Sequence, residues 1–559
     1  MTYTIQIADR SHTFDRPATI AEVLKTMLPE IGQYELMGAF EGSTVLELCE
    51  VIDRDTALQP ITYQNEEGRR IYERSLRFVF LLAAGRCFPG EDPIIEHSLG
   101  QGLYVHFESR RLTQADVEAI ESEMRHIVSR ALPFKRRRWT REKAIDYFRM
   151  KGCEDKAKLL AYRPYNYFDV YELDGEYEYF YGAMLPSTAY TPVFALRLYA
   201  PGLVAMLPAR EKPGEAAEFV SLPKHMAVHR ESNDWCKMLG CATVAELNGL
   251  IEKGGMRELI RVNEALHNKS LAEIAQEIVN RGARAVFVAG PSSSGKTTFA
   301  NRLNIHLRVN RLRPVMISLD DFYIDRDKIP LEDNGKPDLE ALSALDVSYF
   351  RACLDALLRG EEAMMPRFNF KSKKREETLV PMRIAPDQPL IIEGIHALNP
   401  ELHEGFDRRL TCLIYISQLT SVNLDNHNRI RTTDARLLRR LVRDMQFRGT
   451  KPEDTLAMWD SVRQGEEKWI FPYQEEADIV FNSALHYELP FFRAIAYDIL
   501  RAVPQDNPNF VRCNRLLKIL HYMLPADLSM MDEIPPLSIL REFLGGNTLY
   551  LHPESLDEQ

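Results

Sequence analysis

Ala285-Val286-Phe287-Val288-Ala289-Gly290-Pro291-Ser292-Ser293-Ser294-Gly295-Lys296-Thr297-Thr298 is the stretch on which the fold of this chain turns. Its first five residues, all apolar, predict a short strand buried on both faces. The nine that follow fit G-x-x-x-x-G-K-[ST], a loop whose backbone N–H groups point inward around an anion. Gly290 and Gly295 are expected to supply the backbone freedom for that bend. Lys296 would reach the outer phosphates of a nucleoside triphosphate, and the Thr297 hydroxyl is placed to ligate Mg²⁺. The spacing predicts a helix over roughly Thr297 to Asn310, with its positive end toward the same phosphates. The expected nucleotide site is therefore Gly290, Pro291, Ser292, Ser293, Ser294, Gly295, Lys296, Thr297 and Thr298.

Downstream, Pro314 to Leu319 reads as a second strand ending in Asp320-Asp321-Phe322-Tyr323. A carboxylate at the C-terminal end of a parallel strand lies in the crevice where ligands bind. There it can take a proton from an attacking hydroxyl or help hold Mg²⁺; an acidic surface loop is the plainer alternative. A third strand, Pro389 to Ile392, runs into Glu393-Gly394-Ile395, which puts Glu393 beside Thr297 in the metal's shell. Arg439-Arg440-Leu441-Val442-Arg443-Asp444, with Arg448 beyond, predicts a helical lid over the phosphates, or else a solvated basic face. Strands alternate with helices over residues 284–487, as a doubly wound parallel sheet requires.

With 559 residues the chain is too long for one ordinary core, so two to four domains are expected. Hydrophobic content of 45% and charged content of 27% are those of a soluble globular protein. No apolar run reaches the roughly 18 residues of a spanning helix, so no membrane partner is expected. The N-terminus alternates like a strand and carries no signal-peptide pattern. Eight scattered cysteines without C-x-x-C pairs suit a reducing, cytoplasmic setting. The formal charge of −11 argues against a general nucleic-acid binder but permits a local basic site.

Together Gly290 to Thr298, Asp320-Asp321-Phe322-Tyr323, Pro366-Arg367-Phe368-Asn369-Phe370, Glu393-Gly394-Ile395 and Arg440 to Asp444 resemble the uridine kinase and phosphoribulokinase branch of P-loop kinases. Uridine–cytidine kinases are the more similar members, over about residues 284–487. The resemblance implies ATP and Mg²⁺ as cofactors and transfer of the γ-phosphoryl group to a nucleoside 5′-hydroxyl. It implies Asp320 as the base, with Lys296, Arg440, Arg443 and Arg448 positioning and neutralising phosphate charge. Thr297, Asp320 and Glu393 would hold the metal. Asp320, Tyr323, Glu340, Phe368, Lys373 and Arg440 would line the acceptor pocket, Glu340 standing where the family has an aspartate on the ribose. Phe368 and Lys373 stand where uridine–cytidine kinases have tyrosine and histidine, and Met458 where they have a base-reading glutamine. Apolar groups there remove the hydrogen bonds that discriminate a base edge. Another small hydroxylated acceptor such as a sugar, or a nucleotide-dependent RNA-binding or regulatory protein, therefore stay as alternatives.

The N-terminal half resembles a different family. Residues 1–62 are similar to the ubiquitin-like (TGS) domain of threonyl-tRNA synthetases, and residues 68–188 to that family's editing domain. The carrying text is Gly68-Arg69-Arg70-Ile71-Tyr72, Ile94-Ile95-Glu96-His97, Gly102 to Phe107, Pro133 to Arg137 and Leu185-Pro186-Ser187-Thr188. The family's H-x-x-x-H and C-x-x-x-H fall here on Arg74 and Phe78 and on Phe180 and Met184, none of which replaces an imidazole or thiolate as ligand or base. An inert fold is left: a scaffold or homo-oligomer element, a small-ligand sensor, or an RNA platform around Lys135-Arg136-Arg137-Arg138-Trp139, the first being favoured over the last. Residues 189–283 read as a connector, helical in its second half, and 488–559 as a helical tail. The expected architecture is thus α/β and α+β multidomain: a β-grasp domain, an α+β editing-like domain and a C-terminal P-loop kinase. One further pattern, His225-Met226-Ala227-Val228-His229 ahead of Cys236 and Cys241, could chelate zinc on a helix face, although two ordinary histidines are the simpler expectation.

Overall fold

The computed structural model describes residues 2–331, 338, 340–369, 372 and 374–549. Lys373, expected in the acceptor pocket, lies outside the described residues.

The apolar stretch at 285 forms strand β1 (Ala285–Ala289), wholly buried, in the middle of a five-stranded sheet. Its neighbours are β2 (Val315–Ser318), β3 (Leu390–Glu393), β4 (Thr411–Ser417) and β5 (Ile479–Asn482), in the order β2-β3-β1-β4-β5, every pairing parallel. Alternation along β1 divides its side chains between two cores. Val286 and Val288 face one that includes Phe299, Leu303 and Ile278, while Ala285, Phe287 and Ala289 face another with Phe350 and Leu354. Burial on both faces explains the uninterrupted apolar run. The helices that matter to the site are α1 (Met256–Arg281), α2 (Lys296–Val309), α3 (Thr432–Phe447), α4 (Pro452–Trp469), α5 (Phe510–Leu520) and the short α6 (Arg541–Leu544).

At the N-terminus, Arg10–Phe14, Tyr3–Ile7, Thr56–Thr62, Leu36–Glu41 and Thr44–Leu46 form one sheet in that order, with Tyr3–Ile7 and Thr56–Thr62 parallel. The helix Ile20–Met27 lies against it, started by a capping box between Thr19 and Glu22. This is the β-grasp arrangement. The helix Glu66–Cys87 then leads into two antiparallel sheets.

Two expectations need correction here. Residue 188 is not a break, because Ala195–Tyr199 and Gly202–Met206 complete the four-stranded sheet of Pro93–Leu99 and Gly102–Phe107. Gly202 permits that pairing: a Cβ there would stand 2.1 Å from the Val105 carbonyl oxygen. Nor are residues 488–549 a tail, since Phe491, Leu500, Leu516, Ile539 and Phe543 share one core with Val286 and Phe299.

The basic run forms a strand, Lys135–Thr140. Arg136 pairs with Glu50, Arg137 with Glu172 and Arg138 with Asp169, while Trp139 is buried. The ring is thus packed away from solvent, while the side chains of Arg136, Arg137 and Arg138 stay 44%, 50% and 66% exposed. No described helix is long and apolar enough to cross a membrane.

Candidate active site

The P-loop joins β1 to α2, and its two outer glycines serve different needs. Gly295 adopts a left-handed conformation (φ 87°), which a side chain would strain. Gly290 does not; it is there because a Cβ would lie 2.1 Å from the carbonyl oxygen of Ile416 on β4. Ser293 carries the other left-handed turn of the loop, at φ 60°.

Thr297 and Glu393 meet as expected, the hydroxyl donating to the carboxylate at 3.0 and 3.2 Å. Adjacent parallel strands bring this about, for Glu393 ends β3 beside β1. Burial pushes the Glu393 carboxyl up to about 7, helped by repulsion from Asp320 and opposed by Lys296. Asp320 sits in the 3₁₀ turn Leu319–Phe322 that follows β2, and burial raises its pKa too, against the pull of Lys296 and Arg448. The Lys296 ammonium contacts the Pro291 carbonyl at 3.3 Å, with its pKa lowered by burial and partly restored by Glu393 and Asp320. Two crowded carboxylates and a hydroxyl on a helix N-terminus form a hard oxygen donor set that suits Mg²⁺.

Next to these lies a second group. Tyr323 senses both Asp320 and Glu340, and burial together with those charges holds its hydroxyl well above its ordinary range. Its ring lies 5.8 Å from that of Phe368. Glu340 packs on Gly465 of α4, where a Cβ would come within 2.5 Å of its own. Burial and the nearby Glu466 push the Glu340 carboxyl up to about 7. His396 is buried beside it, its pKa taken down to about 4 by burial, so the ring is neutral. Met458 is 42% exposed.

Helix α3 does not hover as a solvated lid; it is docked on the loop. Arg440 donates to the Ser292 hydroxyl at 2.9 Å, and Arg443 to the Ser293 hydroxyl at 3.4 Å. Arg448 pairs with Asp444 at 3.2 Å, while burial and Arg443 take its pKa down to about 10. Two further arginines face the loop: Arg436, which lies outside the basic stretch read from the sequence, and Arg439, which opens that stretch. Arg436 bonds the Ser292 carbonyl at 3.0 Å and is clamped by Glu466, which also accepts the Ser292 N–H at 3.1 Å. Arg439 bonds the Ser293 carbonyl at 3.4 Å and pairs with Glu488. Positions 436, 439, 440 and 443 recur at helical spacing on one face, a signal available in the sequence.

The N-terminal positions where the resemblance put the H-x-x-x-H and C-x-x-x-H motifs are taken up by packing and an ion pair. Phe78 packs against Phe134 and Phe180 (6.0 and 5.7 Å), and Arg74 is buried against Glu67. A cavity of about 320 Å³ remains beside it, lined by Arg74, Arg136, Tyr171, Phe180, Lys518 and Tyr522 among others. The two histidines ahead of the cysteines do separate work: His225 bonds Glu475 at 2.7 Å, and His229 stacks on His97 at 3.6 Å. Cys236 and Cys241 approach His486 instead, their ligand atoms within 4.8 Å of one another, one donor short of a closed zinc site.

Residues 285–489 match the model of the phosphoribulokinase / uridine kinase family. The N-terminal region is similar to threonine–tRNA ligases. That of Azoarcus sp. (strain BH72) is 32% identical over 195 residues, covering 34% of this chain and 30% of the ligase. That of Nitrosomonas europaea is 33% identical over 154 residues, covering 27% and 24%. The chain thus spans under a third of the length of these relatives. A solved structure described as a possible uridine kinase from Bacillus stearothermophilus aligns over 38% of this chain and 98% of its own, at 18% identity and a TM-score of 0.26. Residues 285–489 are therefore a domain of the phosphoribulokinase / uridine kinase family, joined to an N-terminal region similar to threonine–tRNA ligases.

Proposed function

We propose that the protein transfers the γ-phosphoryl group of ATP to a hydroxyl of a small molecule, with a nucleoside 5′-hydroxyl as the preferred reading. The observation that carries this is the grouping of Asp320, Tyr323 and Glu340 just beyond Lys296 and Glu393. A switch protein has no need of a second acidic group with a buried tyrosine beside its phosphate-binding loop. Asp320 accepts the proton of the attacking hydroxyl, and burial, which raises its basicity, favours that role. Glu340 and Tyr323 orient the acceptor's hydroxyls. Lys296 and the loop N–H groups position the phosphates, while Arg440, Arg443 and Arg448 offset charge during transfer. Thr297, Glu393 and Asp320 would hold Mg²⁺, which supplies further charge neutralisation when bound. A sugar acceptor remains the second reading, because Phe368 presents a ring without a hydrogen-bonding group.

The test is ADP formation from Mg·ATP against ribo- and deoxynucleosides, ribose and ribulose 5-phosphate. Asp320→Asn should lower kcat by roughly 10²–10⁴ with little change in KM, the usual worth of a positioned base. A variant keeping more than about a tenth of the wild-type rate would remove Asp320 from that role. ADP release indifferent to every acceptor would sink the kinase reading itself.

A further inference from the structure

The segment after residue 527 returns across the P-loop and brings a carboxylate with it. Ser538 donates to Glu264 on α1, which anchors the turn. Ile539 lies on Gly295, its Cγ2 2.5 Å from where a Cβ on that glycine would stand. Glu542, on α6, accepts from the Thr298 hydroxyl at 2.7 Å and from the Arg443 guanidinium at 3.0 Å. Phe543 is fully buried, with the guanidinium carbons of Arg439 and Arg443 5.0 and 5.6 Å from its ring centre. Asn547 also reaches the Thr298 hydroxyl, at 3.4 Å.

Thr298 belongs to the first turn of α2, the end of a helix that attracts anions. Arg443 is a cation that the proposed reaction assigns to phosphate. Both are engaged by one side-chain carboxylate, close enough to Lys296 and Glu393 to oppose the fall in pKa of the first and add to the rise of the second. A phosphate seated on the loop would meet that carboxylate as a like charge in a partly dry crevice.

We propose that Glu542 is an internal anion standing in for a nucleotide phosphate, so that the segment 538–547 leaves the loop when the donor binds. This rests on the reading of the loop as a nucleotide site and adds its regulation. The nucleotide then binds only the fraction of molecules whose segment is displaced, which weakens its apparent affinity in proportion. Phe543 under two arginines holds the segment down in the absence of nucleotide. Whatever loosens it raises affinity with no change in the loop.

Two measurements on the full chain test this. Glu542→Gln keeps the shape and removes the charge, and it should tighten Mg·ATP binding by about tenfold in calorimetry. In wild-type protein, Mg·ATP should slow amide exchange over 290–298 and speed it over 538–549. Protection of both segments, or unchanged or weaker binding by Glu542→Gln, would make the C-terminal segment a wall of the bound site and overturn the proposal, leaving nucleotide binding intact. Absence of binding by both proteins, with 290–298 unaffected, would remove the nucleotide reading and this proposal together. Should Glu542→Gln fail to fold, the exchange pattern of the wild type decides alone.

Discussion

Glu393 and Glu340 are carboxyls held near neutrality, both pushed up to about 7 from an ordinary 4.5. A carboxyl whose folded pKa is raised favours the folded state when protonated. Its contribution is complete below about 4.5 and is lost as pH rises through about 7. The protein without metal should therefore lose stability across that window, and Mg²⁺ should restore it at the upper end. Because the metal must displace a proton from Glu393, Mg²⁺ affinity should fall by up to about tenfold per pH unit below 7. Thermal melts with and without Mg²⁺ at pH 5.5 and pH 8 check this. The metal-induced rise in Tm should be larger at pH 8, and Glu393→Gln should abolish it while raising Tm in metal-free buffer. A rise equal at both pH values would exclude Glu393 as the titrating ligand.

Among the elements, β1, the loop and α2 were legible because each obeys a local rule: an apolar run, two spaced glycines, and a helix starting at Lys296. Glu393 and Asp320 were legible for the same reason, as acidic residues closing apolar strands. What the sequence could not place was anything depending on contacts far along the chain. Thr298 and Glu542 are 244 residues apart, and Arg439 and Glu488 are 49 apart with no motif joining them. Helix α3 illustrates the difference. Its arginines are visible as a basic stretch, yet whether they are solvated or buried depends on Glu466 and Glu488 from other helices. Arg436 and Arg439 have side chains 1% and 0% exposed, against 34% for Arg448. Removing one member of a buried ion pair leaves its partner stranded, so Arg439→Ala should cost about 3–5 kcal/mol in stability. Arg448→Ala should cost under about 1 kcal/mol, as for partly exposed pairs, while lowering the transfer rate. Urea denaturation of the two variants separates these roles. Equal losses of stability would mean that α3 is a uniform face rather than a clamp beneath and a charged edge above.

Across the whole molecule, the cores do not follow the boundaries suggested by sequence resemblance. One continuous core runs from Trp139, Phe148 and Phe168 of the editing-like fold, through Val286 and Phe299, to Leu516 and Phe543. A second unites the β-grasp fold with the helix Glu66–Cys87 and the four-stranded sheet. The three-stranded sheet at 135–178 is split between them, Phe168 and Val170 facing the first, Tyr171 and Leu173 the second. Polar contacts tie the same seam. His427 is buried between Asp92 (2.8 Å) and Glu178 (2.6 Å), beside Lys156; burial and Lys156 oppose its charge, but the carboxylates win and raise its pKa to about 10. Asp434, at the start of α3, accepts from Arg70 of the N-terminal half and pairs with Arg515 of α5. The N-terminal half is therefore built into the walls of the P-loop domain rather than strung in front of it. A fragment comprising residues 1–188 would lose the two closing strands 195–206 and expose Phe148, Leu159 and Phe168. Each such side chain forfeits about 1.5–3 kcal/mol of burial, against a total stability of about 5–15 kcal/mol for a typical domain. The fragment should bind a hydrophobic dye and melt without a sharp transition. Extending it to residue 206 should restore the four-stranded sheet but not the apolar face turned toward the P-loop domain. A monomeric 1–188 fragment with a cooperative melt would show that the resemblance-based boundary, and not the continuous core, marks the folding unit.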